Sequence, residues 1–318
     1  MIADTILIIG ANGQLGSVLT QELQKIHGKS NVIASDVYLN ATFDGVFEII
    51  DATDIEAIEN IVNKYAVNQI YHLAAILSAK GEGNPLWTWD LNMKMMLNVF
   101  EVARLNNIEK VFFPSSIAVF GDAVEREMTP QDSFLNPATV YGMSKAAGEN
   151  WAQYYYTKYN LDIRSLRYPG VVGYQSMPGG GTTDYAVGIY HSAVKQEKYS
   201  CFLSSETKLP MIFMEDAIRA TIELMQAPEE NIKTRTSYNL GSMSFNPNEI
   251  SAEIKKLYPD FEIEYNPDFR QEIADKWPMS IDDNEAIKDW SWKPKHDLKS
   301  MTSVMLEKLE EKYNTIKL

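Results

Sequence analysis

The feature that most restricts what this chain can fold into lies near its start. A short apolar run, Ile6-Leu7-Ile8-Ile9, leads at once into Gly10-Ala11-Asn12-Gly13-Gln14-Leu15-Gly16. Branched apolar residues bounded by glycine read as a buried strand. From residue 14 to 26 the apolar positions Leu15, Val18, Leu19, Leu23 and Ile26 keep helical spacing. Glycine is required where the chain turns tightly and where backbone must approach an anion closely. The helix that follows presents unpaired N–H groups and the positive end of its dipole. Three glycines alone carry little weight, but this loop stands between a strand and a helix, as a phosphate cradle requires.

The pattern continues down the chain. Strands are expected at residues 31–36, 47–50, 70–73, 110–113 and 162–166, and helices at 54–65, 87–105 and 142–159. Such alternation argues for an α/β fold, a doubly wound parallel (Rossmann) sheet covered on both faces. Residues 1–170 are expected to form a dinucleotide-binding domain, and 171–318 a smaller C-terminal substrate-binding region. Part of the latter, about 207–240, is expected to return to the main sheet through a strand at 237–240. Residues 178–181 read as a loop, and 184–195 and 215–225 as helices. The segment beyond, rich in charge and tryptophan, offers no clear elements.

Composition narrows the partners. A net charge of −14 opposes nucleic acid, so none is expected, and an anionic substrate needs locally placed donors. Cys201 is the one cysteine, and His27, His72, His191 and His296 keep no metal-ligand spacing, so no metal is expected. No apolar run reaches the roughly 20 residues of a bilayer span. The first strand begins too near Met1 to leave room for a leader, and a reducing, cytoplasmic setting is expected.

The glycine loop predicts an acid about 20 residues further on. Asp36 lies 20 residues beyond Gly16, at the end of the second strand. Its carboxylate can accept from ribose hydroxyls and repels a 2′-phosphate, so NAD is expected rather than NADP. The plainer alternative is a glycine turn with a solvated aspartate. Gly10, Asn12, Gly13, Gln14, Leu15 and Gly16 are the expected cradle, with Asp36 and Val37 after it. Asp51, with Ala52, is an adenine contact or a helix N-cap. Leu73, Ala74 and Ala75 end the fourth strand with mostly small side chains over which a cofactor can lie. His72 reads as a structural histidine.

Tyr141-Gly142-Met143-Ser144-Lys145 puts a phenol and an ammonium at i and i+4 on one helix face. A phenol near pKa ~10 is a poor base at neutral pH. An adjacent ammonium is expected to lower it and to make Tyr141 the acceptor of a substrate hydroxyl proton. Ser115 and Ser116 follow the fifth strand, where a hydroxyl can orient the reacting oxygen.

Loop, serine and Tyr-x-x-x-Lys in this order resemble the extended short-chain dehydrogenase/reductase family over essentially the whole chain. The resemblance assigns catalysis to Ser116, Tyr141 and Lys145, with Tyr141 and Lys145 also holding the cofactor. It places Arg167-Tyr168-Pro169-Gly170-Val171 beside the nicotinamide, through Tyr168 and Val171. Val119-Phe120-Gly121 departs from the more usual Val-Tyr-Gly.

Nucleotide-sugar epimerases of that family usually carry Arg-Tyr-Phe-Asn where Arg167-Tyr168-Pro169-Gly170 stands here. Instead, Pro178-Gly179-Gly180-Gly181-Thr182-Thr183-Asp184-Tyr185-Ala186, Leu77-Ser78-Ala79, Leu209-Pro210-Met211 and Trp277-Pro278-Met279 resemble the metal-free L-threonine 3-dehydrogenases. That resemblance implies oxidation of L-threonine to 2-amino-3-ketobutyrate, the first step of threonine catabolism. It places Ser78, Ser116, Tyr141, Gly181, Thr183 and Trp277 around the substrate. The loop before the helix is expected to offer N–H groups to the substrate carboxylate, with Arg270 as the weaker alternative anchor. Trp277 serves as a seal or as plain core. A nucleotide-sugar epimerase or reductase and a non-catalytic NAD-binding regulator stay open as alternatives. The helices at 87–105 and 142–159 resemble those that pair in a homodimer of this family.

Overall fold

The computed structural model describes residues 4–40 and 43–316. Residues 1–3, on which the expectation of no leader partly rests, lie outside them. Strand β1 (Ile6–Ile9) is buried along its whole length. Ile6 and Ile8 face Leu19 and Leu23 of helix α1 (Gln14–His27), whereas Leu7 and Ile9 face a second core. A strand covered on both faces needs apolar side chains at every position, which is why the run is unbroken.

The chain continues through β2 (Val32–Asp36), β3 (Val46–Ile49), α2 (Ile55–Tyr65), β4 (Gln69–His72), a short α3 (Ser78–Gly81), α4 (Pro85–Leu105), β5 (Lys110–Ser116), α5 (Val140–Tyr159) and β6 (Asp162–Tyr168). Asp54 caps α2 by accepting from the Glu56 and Ala57 N–H groups. Ile58, Ile61 and Val62 of α2, Val99 and Phe100 of α4 and Ala152 of α5 close the second core.

After β6 come β7 (Gly170–Val172), α6 (Tyr185–Val194), β8 (Tyr199–Cys201), β9 (Leu209–Phe213), α7 (Met214–Gln226), β10 (Tyr238–Asn239), β11 (Met243–Phe245), α8 (Pro247–Lys255), β12 (Ile263–Tyr265), α9 (Phe269–Ala274), α10 (Asn284–Trp290) and α11 (Leu298–Ile316). The main sheet runs β10-β6-β5-β4-β1-β2-β3, with every pairing parallel. Helix α7 packs with α1 on one face, and β10 joins the edge beside β6. A three-stranded sheet, β11-β9-β7, and a two-stranded one, β12-β8, build the rest. They enclose a third core containing Tyr185 and Ile189 of α6, Ile250 of α8, Met305 of α11 and Trp277.

Strand β5 runs through Pro114 to Ser116, beyond the expected stop at residue 113. Proline normally ends a central strand because it cannot donate to the ladder. Here β4 pairs with β5 only as far as Phe112, so on that side Pro114 costs no ladder bond. Both serines therefore belong to the strand rather than to a loop after it.

Candidate active site

Strand order reverses between β1 and β4, and in open α/β sheets ligands bind where it does. The glycine loop sits there. Gly10 has φ +91°, and a Cβ on it would lie 2.7 Å from the Ala74 backbone nitrogen. A Cβ on Gly16 would lie 2.1 Å from the Gly10 carbonyl oxygen. Helix α1 opens at Gly13 with no side-chain cap and no acid in its first turn. Its first N–H groups are thus left for an anion, and the residues present fit a dinucleotide pyrophosphate.

Asp36 braces that loop. One of its oxygens accepts from the Asn12 N–H at 2.9 Å and the other from the Val37 N–H at 2.8 Å. A carboxylate retains further acceptor sites, so a ribose hydroxyl can still be bound. Asp51 is exposed and accepts from the Thr53 N–H at 2.8 Å, a local turn bond. Ala52 is buried and its carbonyl accepts from Asn98 at 3.1 Å. Val37 is exposed.

A cleft of about 160 Å³ continues from the loop across the sheet edge. Gln14, Leu15, Leu73, Ala75, Tyr168 and Val171 line it, as do Ser78, Ser116, Tyr141, Lys145, Gly181, Thr183 and Trp277. Gly10, Asn12, Gly13, Gly16, Asp36, Val37, Asp51, Ala52 and Ala74 are not part of its wall. They lie in the glycine turn and the strand ends around it.

Tyr141 and Lys145 stand in the first turns of α5. That helix is capped by Thr139, whose hydroxyl accepts from the Gly142 N–H, and by Glu82, which accepts from the Val140 N–H at 2.8 Å. The Lys145 ammonium nitrogen lies 5.6 Å from the Tyr141 ring centroid and 4.5 Å from that of Phe113. Burial pulls Lys145 down to about 7. It pushes Tyr141 up to about 12, against a lowering hydrogen bond with Ser116. The expected lowering of the phenol by its lysine does not appear in the protein alone, where burial and the Ser116 hydrogen bond are the causes of the shift. A desolvated lysine gives up its own charge before it can stabilise a neighbour's. His72 stacks with Phe113 at a centroid distance of 6.4 Å and does not line the cleft. Burial, then the nearby Lys145 charge, lowers it to about 3, so it is neutral, as a structural histidine should be.

The substrate end differs from expectation in one respect. The Gly180 and Gly181 N–H groups both donate to one Asp184 oxygen, each at 2.7 Å, and so are not free for a substrate carboxylate. Sequence reasoning missed Asp184 and Thr182, which also line the cleft. An aspartate closing a glycine run just before a helix is a cap signal that could have found the first. Among the described residues, the buried Thr182 hydroxyl and Trp277 indole N–H have no hydrogen-bond partner. Trp277 both belongs to the third core and walls the cleft, and its carbonyl accepts from Arg126 at 3.0 Å. Arg270 is held by a bidentate pair with Asp268 and does not line the cleft, so it is not the carboxylate anchor. At Gly170 a Cβ would lie 2.4 Å from the Met211 sulfur and 2.7 Å from the Thr183 Cβ, leaving no space for a side chain.

Comparison with known proteins agrees with this geometry. Residues 6–241 match the model of the NAD dependent epimerase/dehydratase family, and the chain belongs to that family, within the extended short-chain dehydrogenases. It has the fold and cofactor cradle of an NAD-dependent oxidoreductase. An uncharacterized epimerase/dehydratase of Staphylococcus haemolyticus is 44% identical, over 97% of this chain and 98% of that protein. A GalE-like L-threonine dehydrogenase from Cupriavidus necator, in its holo form, is 49% identical with a TM-score of 0.95, over 96% of this chain and 99% of that one. A monomeric L-threonine 3-dehydrogenase from a metagenome is 48% identical with a TM-score of 0.94, over the same shares. Among the described residues, no group of three or more histidine, cysteine or acidic side chains is placed to hold a metal ion, and no helix is long and apolar enough to cross a membrane.

Proposed function

We propose that this chain oxidises L-threonine at its 3-hydroxyl, giving 2-amino-3-ketobutyrate, NADH and a proton. The observation that carries this reading is the small cleft itself. Ser116, Tyr141 and Lys145 share one wall of about 160 Å³ with Ser78, Thr182, Thr183, Asp184 and Trp277, and Gly170 is closed to any side chain. A free amino acid is a zwitterion. The three hydroxyls and the indole N–H supply donors for its carboxylate, and Asp184 supplies negative charge for its ammonium. Trp277 excludes water from the reacting carbon.

Bound NAD supplies the hydride acceptor and a positive charge beside the tyrosine. Ser116 orients the substrate oxygen, and Tyr141 takes the hydroxyl proton. Lys145 holds the cofactor ribose and, in its protonated form, favours the ionised phenol. No metal enters this scheme.

The similarity to threonine dehydrogenases supports this substrate over a nucleotide sugar. The test is NADH absorbance with L-threonine and a panel of UDP-sugars. A rise with threonine alone supports the reading; turnover of a UDP-sugar alone replaces it with an epimerase or reductase. NAD binding with no turnover of any substrate indicates a regulatory protein.

The chain is further proposed to act as a homodimer in the cytoplasm. Leu86, Trp87 and Trp89 of α4 and Met143, Trp151 and Tyr154 of α5 are large apolar side chains exposed on two helices that pack together, and exposed apolar residues of this kind support an interface there. A relative described as monomeric makes light scattering the deciding measurement.

A further inference from the structure

We infer that the buried ion pair Glu149–Arg167 is a positioning pair. It locks the helix carrying Tyr141 and Lys145 against the strand carrying Ser116, and ties both to the segment carrying Trp277. The inference rests on the roles proposed above for those four residues.

Glu149 follows Lys145 by one helical turn on α5 and is almost fully buried, as is Arg167 on β6. The guanidinium grips both carboxylate oxygens, with its ε-nitrogen at 3.0 and 3.3 Å and one terminal nitrogen at 2.8 Å. Ser115, next to Ser116 on β5, donates to the same carboxylate at 2.6 Å. One carboxylate thus touches the catalytic helix, the strand of the catalytic serine and the strand between cofactor and edge.

The other arm of Arg167 reaches outward. It donates to the Gln131 carbonyl at 2.8 Å and to the Asn239 side-chain oxygen at 3.1 Å. Asn239 in turn donates to the Thr129 and Asp282 carbonyls, each at 3.0 Å. The Thr129 N–H donates to the Ser280 carbonyl at 3.0 Å, and Arg126 donates to the Trp277 carbonyl at 3.0 Å. Buried hydrogen bonds of fixed direction hold neighbouring elements more sharply than apolar contact does. Burying two charges is a poor source of stability, and apolar replacement of both is often tolerated. A pair with little net stabilising value, placed between three catalytic elements, is better explained by the geometry it enforces.

The test is the double variant Glu149→Leu/Arg167→Met, compared with wild type for unfolding, NAD binding, kinetics with L-threonine and crystal structure with NAD. The variant is expected to be less stable, because Ser115, the Gln131 carbonyl and Asn239 each lose a partner, yet to fold and to keep NAD affinity within about threefold. The value of kcat should fall on the order of 100-fold, as for a misplacement of about 1 Å. In the crystal the Tyr141 hydroxyl should leave hydrogen-bond reach of Ser116. A folded double variant with wild-type kcat, or with a superposable Tyr141–Ser116 contact, overturns the inference.

Should the double variant fail to fold, Arg167→Lys keeps the charge and loses the fork. It should lower kcat about tenfold at unchanged KM for NAD, and wild-type kcat would again overturn the inference. Failure of the wild type to oxidise threonine would sink the proposed function instead, and the crystallographic comparison would still decide the positioning role.

Discussion

The ammonium nitrogen of Lys145 lies 5.6 Å from the ring of Tyr141, one helical turn away, with no carboxylate among the causes of its shift. Burial takes the lysine down to about 7 and, against a lowering hydrogen bond from Ser116, the phenol up to about 12. Burial therefore holds the phenol in its neutral form, and in the proposed complex the positive charge of a bound nicotinamide would favour its ionisation. This is how a site keeps a base inactive in free enzyme and competent in the complex.

The sign of the Lys145 shift fixes a pH dependence of stability. Its folded pKa is depressed, so between about 7 and the unfolded value of 10.5 the unfolded chain binds the extra proton. Stability from this group is complete above that window and is lost as pH falls to 7. Lys145→Met removes the effect. Urea unfolding of the cofactor-free protein at pH 6, 8 and 10 should show the variant gaining most at pH 6, with the difference closing toward pH 10. A constant difference across the series would contradict the depressed pKa.

Gly170 tests substrate size. Asparagine there meets the Met211 sulfur and the Thr183 Cβ, which lie 2.4 and 2.7 Å from the position of a Cβ. Overpacking of this kind costs about 1–3 kcal/mol. Gly170→Asn should lower thermal stability and threonine turnover together, with no gain of UDP-sugar activity. Calorimetry and the NADH assay read both outcomes.

Asp184 holds the glycine loop through two N–H bonds of 2.7 Å and lines the cleft. Hydrogen bonds to charged groups contribute about 1.5–3 kcal/mol. Asp184→Ala should therefore raise KM for L-threonine by roughly tenfold or more and leave NAD affinity, measured by tryptophan quenching, unchanged. An unchanged KM would remove Asp184 from substrate recognition.

The nucleotide half of the molecule was legible because its signals are local. A continuous apolar strand, a glycine turn and a helical stripe lie within residues 6–26, and Tyr141 with Lys145 within one turn. The C-terminal region was opaque because β7, β8, β11 and β12 have three residues each, too few to show a period. Strand β5 is expected only to residue 113 and runs on to Ser116, because Pro114 lies where β4 has already ended and costs no ladder bond on that side. Asp184 was hidden behind the glycines it restrains. Glu149 and Arg167 stand 18 residues apart, and their pairing exists only once α5 lies against β6. The direction of the Tyr141 shift depends on burial, which spacing alone does not report.

The central claim is transfer of hydride from the 3-carbon of threonine with Tyr141 as proton acceptor. Its most direct test is L-threonine deuterated at that carbon, incubated with NAD and the wild-type enzyme or Tyr141→Phe, with mass spectrometry of the reduced cofactor. Deuterium should appear in the cofactor with wild type, and the variant should bind NAD normally yet form product at least 100-fold more slowly. Reduced cofactor without deuterium, or undiminished transfer by the variant, would contradict the account.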